Sequence, residues 1–477
     1  MKITKPPKNS QSIIQFPSKT NKELYLSHKE MSTGDSNTLK PLSFYKQNSV
    51  VVKLVILFLL LSFTILLLSS HSIDYLSPFL QTQSPSPTLN TPEFDLLTSD
   101  KGSFSSNSTT IFQDEAKPPI LFEDETKPKC DLFKGEWIAY PIGPVYNYNN
   151  CPFIEDHQNC VANGRPDSEY LYWRWEPLDC KLARFKPERF LDLMRNKSWA
   201  FIGDSISRNH VQSLLCILSQ VEPAKEIYHD EQYKSKAWVF PTYNLTLAVI
   251  WSPFLVKAEI FEDNNGYSTS EPQLHLDKLD EKWTSQYNDF DYVIIAGGKW
   301  FLKSAIYYEN NTIQGCHYCQ GKNLTEIGFD YAYHKTLELV LNFVMNSSHK
   351  AQFFLRTITP DHFENGEWFS GGTCNRRVPF REGEINVTDV DRILHEVELQ
   401  EFDKVVGEAL DRGVSLKLLD TTRLSLLRPD GHPGPYRHSH PFAKDKNATV
   451  QYDCLHWCLP GPIDSWNDLV MEILMNG

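Results

Sequence analysis

The sequence predicts an α/β fold: a mostly parallel sheet flanked by helices, with a disulfide-linked N-terminal subdomain and a single N-terminal transmembrane helix. Three observations carry this. From about residue 184 onward, short apolar strand-like runs alternate with helical ones, the pattern of a parallel sheet with crossover helices. All 10 cysteines lie between Cys130 and Cys458, an even number suited to pairing in an oxidising compartment. The stretch Val50–Leu68 is almost wholly Val, Leu, Ile and Phe, about long enough to cross a bilayer.

Taken in order, residues 1–49 are polar, Lys- and Ser-rich and without apolar periodicity, as in a disordered cytosolic tail. Residues 50–70 read as an uncleaved signal anchor, because a cleaved signal peptide has a shorter apolar core and far fewer residues ahead of it. Lysines dominate before this run and Asp74, Glu93, Asp95 and Asp100 follow it, so the N-terminus is expected inside and the bulk of the chain lumenal. The glycosylation sequons at Asn107, Asn196, Asn244, Asn310, Asn323, Asn346, Asn386 and Asn447 all lie on the far side. Residues 71–129, with Ser-Pro-Ser-Pro at 84–87, have the composition of a stem.

Residues 130–183 hold Cys130, Cys151, Cys160 and Cys180 among many aromatics, and predict a loop-rich, cross-linked subdomain. Trp173-Arg174-Trp175 suggests buried packing more than a sugar-stacking platform. Residues 184–477 form the expected catalytic domain. Its strand candidates are Trp199–Ile202, Asp291–Ala296, Ala351–Leu355 and Val414–Leu419. Asp389 to Arg412 predicts a helix with Ile393, Leu394, Val397, Leu399, Phe402, Val405, Val406 and Leu410 as its buried face. With a net charge of -13 and no basic stripe past the N-terminus, nucleic acid is excluded as a partner.

The chain is organised around Trp199-Ala200-Phe201-Ile202-Gly203-Asp204-Ser205. A buried strand closes at Gly203, and the run through Leu214, Leu215, Ile217 and Leu218 has helical spacing. Ser205 therefore sits where a strand becomes a helix, exposed at a sheet's carboxyl edge with unpaired helix N–H groups beside it. That position suits a nucleophile whose acylation creates an oxyanion. Near the C-terminus, Asp453-Cys454-Leu455-His456-Trp457-Cys458 places Asp and His three residues apart, where a carboxylate can hold an imidazole as general base. A zinc reading competes: Cys316-His317-Tyr318-Cys319 has ligand-like spacing, with Cys454, His456 and Cys458 as a second half-site. Disulfides are the better expectation in an oxidising lumen. Cys316 and Cys319 pair with each other or with nothing the sequence reveals, and no metal is expected.

Gly203-Asp204-Ser205, together with the stretch from Asp453 to Asn467, resembles the plant trichome birefringence-like family, whose catalytic part is called a PC-esterase domain. The likeness covers roughly 130–477. It implies an SGNH-hydrolase-like fold and a Golgi polysaccharide O-acetyltransferase, single-pass and type II, with Ser205 as nucleophile, His456 as base and Asp453 as its orienting carboxylate. It also implies disulfides at Cys454 and Cys458; Cys130, Cys151, Cys160, Cys180, Cys216 and Cys374 complete the disulfide candidates. For the oxyanion, the Ser205 N–H and Gly298, in Gly297-Gly298-Lys299-Trp300-Phe301, are the expected donors, although the aromatic–His pattern expected after such a glycine is altered here.

The expected reaction is double displacement through an acetyl-serine, with no bound cofactor and an acetyl donor (acetyl-CoA or an acetylated intermediate) as co-substrate. Trp300, Trp368 and Trp457 are candidates to line the acceptor groove, core packing being their alternative. Residues 371–377 and 379–384 resemble the xyloglucan branch, with xylan next. A polysaccharide esterase and a non-catalytic wall-binding protein are the rivals. The oligomeric state is not readable.

Overall fold

The computed structural model describes residues 130–261 and 269–476. The expectations for the tail, the membrane anchor and the stem lie outside the described residues. β1 (Gly135–Ala139) and β2 (Trp173–Pro177) pair as an antiparallel ribbon. A short helix, α1 (Pro187–Leu193), begins with proline at its first turn and leads into β3 (Ser198–Gly203) and α2 (Ser205–Leu218). Then come β4 (Lys225–His229), β5 (Lys236–Phe240), β6 (Leu245–Trp251), β7 (Val256–Glu259) and β8 (Gln273–Leu279). They are followed by α3 (Glu281–Thr284), β9 (Tyr292–Ile295), β10 (Ala305–Glu309), β11 (Thr312–His317) and α4 (Phe329–Asn346). The chain closes with β12 (Gln352–Arg356), α5 (Asp389–Asp411), β13 (Leu416–Leu419), α6 (Thr422–Leu426) and α7 (Asp464–Asn476).

The main sheet has the order β13-β12-β9-β3-β6-β5-β4. Its first five strands are parallel, and β5 and β4 run antiparallel at one edge. β3 is central, and its near-continuous apolar run reflects burial on both faces. Trp199 and Phe201 point to one side and pack with Leu214 and Leu215 of α2 and Trp466 and Leu469 of α7. Ala200 and Ile202 point to the other, against Leu337 and Val340 of α4 and Leu394 and Phe402 of α5. Each large apolar side chain so buried contributes roughly 1.5–3 kcal/mol. This two-sided packing fixes the carboxyl edge of the sheet, where β3, β6, β9, β12 and β13 all end.

Two features depart from the expectations. A second sheet, ordered β11-β10-β8-β7, has no counterpart in the sequence reading. Its strands are short and mix buried with half-buried and exposed residues, so no long apolar run announces them. On α5, Leu410 is 79 % exposed instead of buried, while Glu398 and Glu401 are buried; in the last turn it is Ala409, one residue earlier, that faces the core. Trp175 is fully buried edge-on to Trp137, so it is a packing residue and not a sugar platform.

Five disulfides join the cysteines of the described residues: Cys130–Cys180, Cys151–Cys216, Cys160–Cys458, Cys316–Cys319 and Cys374–Cys454. The sulfurs considered as zinc ligands are therefore bonded to sulfur and hold no thiolate for a metal. Two of the bonds tie the 130–183 segment to the main domain.

Candidate active site

The site begins with a glycine. At Gly203 φ is +150° and a Cβ would stand 2.2 Å from the carbonyl oxygen of Ala296. Only glycine lets β3 press against the end of β9 and turn at once into α2. Asp204 caps that helix, its carboxylate accepting the Ile206 N–H at 3.0 Å. Ser205 is the first helical residue, so its N–H has no intrahelical partner and lies at the positive end of the helix dipole.

His456 approaches from the loop before α7. Its Nε2 lies 2.7 Å from Ser205 Oγ, and its Nδ1 lies 2.8 Å from Asp453 Oδ2. The serine hydroxyl can donate to Nε2 only if the imidazole carries its proton on Nδ1, and the carboxylate enforces that tautomer. The other oxygen, Asp453 Oδ1, accepts the Leu455 and His456 N–H groups at 3.2 and 3.0 Å, so the pair meets in a tight turn and not on a helix. Burial opposes the Asp453 charge, but the His456 imidazole, Arg437 and these hydrogen bonds outweigh it and hold the carboxyl well below its usual range.

The turn is pinned on every side. Asp453 pairs with Gly434 through two backbone hydrogen bonds of 2.8 and 3.0 Å, and Cys454 is bonded to Cys374. Asn209 of α2 accepts the Trp457 N–H at 2.7 Å and donates to its carbonyl at 3.3 Å. The helix that carries Ser205 therefore also fixes the residue after His456. Beneath it lies a buried polar layer. Burial pushes Glu398 up to about 8, and Glu398 accepts from the Tyr333 hydroxyl at 2.6 Å and from the Ile358 N–H at 2.9 Å. Arg356, at the end of β12, is buried and faces the charges of Asp204 and Glu398.

The groove candidates separate. Trp457 is fully buried, stacked on His432 at 4.3 Å and edge-on to Trp466; it is a core residue and cannot line a groove, because its ring faces inward from the turn that exposes His456. Trp300 is half-buried at the end of β9, edge-on to Trp251, with the Lys303 ammonium 3.7 Å from its ring centre. Trp368 is 50 % exposed, beside Phe369, and its carbonyl accepts from Gln451, two residues before Asp453. Gly298 follows β9, the strand next to β3, with φ +106° and a Cβ position only 2.4 Å from Ile358. This strand end is backbone that glycine alone can form.

Sequence reasoning missed His157. Its ring lies edge-on to His456 with centroids 5.7 Å apart. Burial, followed by the charge of His456, lowers it to about 4, so it stands neutral beside the base. It belongs to the Cys160–Cys458 corner of the N-terminal segment, and nothing in its local sequence signals that long-range placement.

Comparison with known proteins places the chain in a family. The profile described as PC-Esterase, a GDSL/SGNH-like acyl-esterase family found in Pmr5 and Cas1p, matches residues 182–473, and a PMR5 N-terminal domain profile matches residues 128–181. Protein trichome birefringence-like 25 of Arabidopsis thaliana is 54% identical over 441 residues, covering 91% of this chain and 94% of its own. Protein trichome birefringence-like 26 of the same plant is 60% identical over 365 residues, 75% of this chain and 81% of its own. Xyloglucan O-acetyltransferase 1 of Populus trichocarpa is 41% identical over 397 residues, 82% of this chain and 88% of its own.

Proposed function

We propose that this chain, which belongs to the PC-esterase family, is a polysaccharide O-acetyltransferase that works through an acetyl-serine at Ser205. The observation that carries the reading is the hydrogen-bonded chain from Ser205 Oγ through His456 to Asp453. In the first half-reaction His456 takes the serine proton as Oγ attacks the acetyl carbonyl, and returns it to the departing donor group. In the second, His456 takes the proton of a sugar hydroxyl that attacks the acetyl-serine, and Ser205 regains it. The Ser205 N–H at the start of α2 meets the oxyanion, and we assign Gly298 as a second donor. Transfer over hydrolysis requires the sugar hydroxyl to be held close to the ester, a task we give to Trp300 and Trp368.

Xyloglucan is the first acceptor to test, supported by the relatives named for that activity at 41% and 42% identity. Xylan, mannan and pectin complete the panel, because the relatives at 54–60% identity carry no acceptor in their names. The donor is acetyl-CoA or another acetylated intermediate. We place the protein in the Golgi membrane, single-pass and type II with this domain lumenal, a reading supported by Val50–Leu68 and by sequons confined to one side of it.

The test incubates full-length protein with an acetyl donor and each unacetylated oligosaccharide, reading acetyl gain and free acetate by mass spectrometry. Acetyl on one oligosaccharide, lost in Ser205→Ala, supports the transferase and names its acceptor. Free acetate from acetylated glycan with no transfer makes it an esterase. No acetyl-serine at all overturns the mechanism.

A further inference from the structure

Behind His456 two buried histidines and two carbonyls need one more proton than a pair of neutral imidazoles holds. His432 Nδ1 lies 2.7 Å from the backbone oxygen of His456. A carbonyl only accepts, so this nitrogen bears a proton. His362 Nε2 lies 2.8 Å from the backbone oxygen of Leu426, and bears one for the same reason. The remaining nitrogens, His362 Nδ1 and His432 Nε2, face each other at 2.7 Å. In neutral rings each would present a lone pair to the other. A single proton between them turns the clash into a short charge-assisted hydrogen bond.

We propose that His362 and His432 share one proton in the folded protein, and that this shared proton positions His456 by holding the His432 N–H against its carbonyl. The surroundings suit one positive charge and no more. Three carboxylates favour charge on the pair: Asp361, which is paired with Lys299; Asp430, which is paired with Arg428; and Asp453, which is paired with His456. Arg165 reaches the His432 carbonyl at 2.9 Å, Trp457 stacks on His432 with centroids 4.3 Å apart, and the Phe380 ring lies 6.4 Å from that of His362. Burial opposes a charge on either imidazole, and a charge on His362 further opposes one on His432, which is lowered to about 3, so the pair holds at most one extra proton, kept by the short contact between its facing nitrogens. The proton comes from solvent on acidification and returns to it as pH rises; no other bond changes.

When it leaves, the two lone pairs repel and His432 withdraws from the carbonyl of the residue whose Nε2 meets Ser205. The pair thus acts through His456 and rests on the reading of Ser205 and His456 as the reacting groups. A small chromogenic acetyl ester tests it in full-length protein, because formation of acetyl-serine needs no acceptor. Rates are taken from pH ~5 to ~8, the span in which imidazoles titrate. His362→Asn sets a neutral amide N–H where Nδ1 stood, donating to His432 without a charge; His362→Leu supplies no donor.

The wild type is expected to show a limb of activity that falls as pH rises. H362N lacks that limb, whereas H362L is about tenfold slower than H362N throughout, as expected for one lost neutral hydrogen bond. The wild type and H362N decide the matter even if H362L folds poorly. A wild-type profile with no falling limb, or the same limb in H362N, overturns the proposal. Absence of acetyl-serine in the wild type at every pH instead overturns the assignment of Ser205, and with it this one.

Discussion

Replacing Asp453 by Asn preserves the shape of the turn and inverts one hydrogen bond. In the parent, Oδ1 accepts the Leu455 and His456 N–H groups while Oδ2 accepts from His456 Nδ1 at 2.8 Å. An asparagine must keep its oxygen on those two N–H donors, so its NH2 turns toward Nδ1. The imidazole then carries its proton on Nε2, pointing at Ser205 Oγ 2.7 Å away, and cannot accept the serine's proton. A wrong tautomer of this kind in a serine–histidine–aspartate site lowers turnover about 10⁴-fold, or roughly 5 kcal/mol of transition-state stabilisation. The assay is single-turnover acetylation of Ser205 by an activated acetyl ester, followed by intact-protein mass. A loss smaller than about tenfold in Asp453→Asn would refute the assignment of His456 as an Asp-oriented base.

Three further outcomes follow from the packing. Gly203→Ala drives a methyl group into the Ala296 carbonyl at a positive-φ position, and should cost about 3 kcal/mol or more of stability by thermal unfolding while displacing Ser205; a variant with parental stability and activity contradicts this. Burial pushes Asp464 up to about 6, so it is protonated in the native state at acid pH and its contribution is lost as pH rises through 6. Asp464→Asn should therefore gain on the order of 3 kcal/mol relative to the parent between pH ~4 and ~8. The difference between the two proteins is the quantity to read, because buried neutral histidines pull parental stability the other way. A flat difference refutes it. Removing Cys160 and Cys458 together should cost about 3–5 kcal/mol by urea unfolding, and an unchanged midpoint would show that Cys151–Cys216 alone suffices to tie the N-terminal segment.

The parts of the site with local signals were readable from sequence. Gly203-Asp204-Ser205 declares itself because a buried apolar run ends on glycine and an amphipathic helix follows, a change of period visible in a dozen residues. Asp453 and His456 declare themselves because three-residue spacing lets a carboxylate fold back on an imidazole. What escaped depends on long-range pairing. His157 reaches His456 across a corner joined by the Cys160–Cys458 bond and by the Leu459 N–H donating to the Gln158 carbonyl, and His362 and His432 meet across 70 residues. Trp457 misled because an aromatic beside a catalytic histidine reads alike whether it faces a groove or the core, and the turn direction that decides it is set by Asn209 on another element. The second sheet stayed hidden because half-exposed strands of four to seven residues carry too little hydrophobic contrast.

The bond between Cys160 and Cys458 spans 298 residues and imposes a timetable on synthesis. At about 5–20 residues per second of translation, Cys160 emerges roughly 15–60 s before its mate exists, in the company of Cys130, Cys151 and later Cys180. For that interval the correct sulfur is absent and only wrong ones are at hand. The strand that presents Ser205 is already made, but the turn that presents His456 follows 251 residues later. Nascent chains stalled before residue 458 should therefore carry Cys160 as a free thiol or in a bond that later has to be exchanged, with a serine in place and nothing yet to deprotonate it.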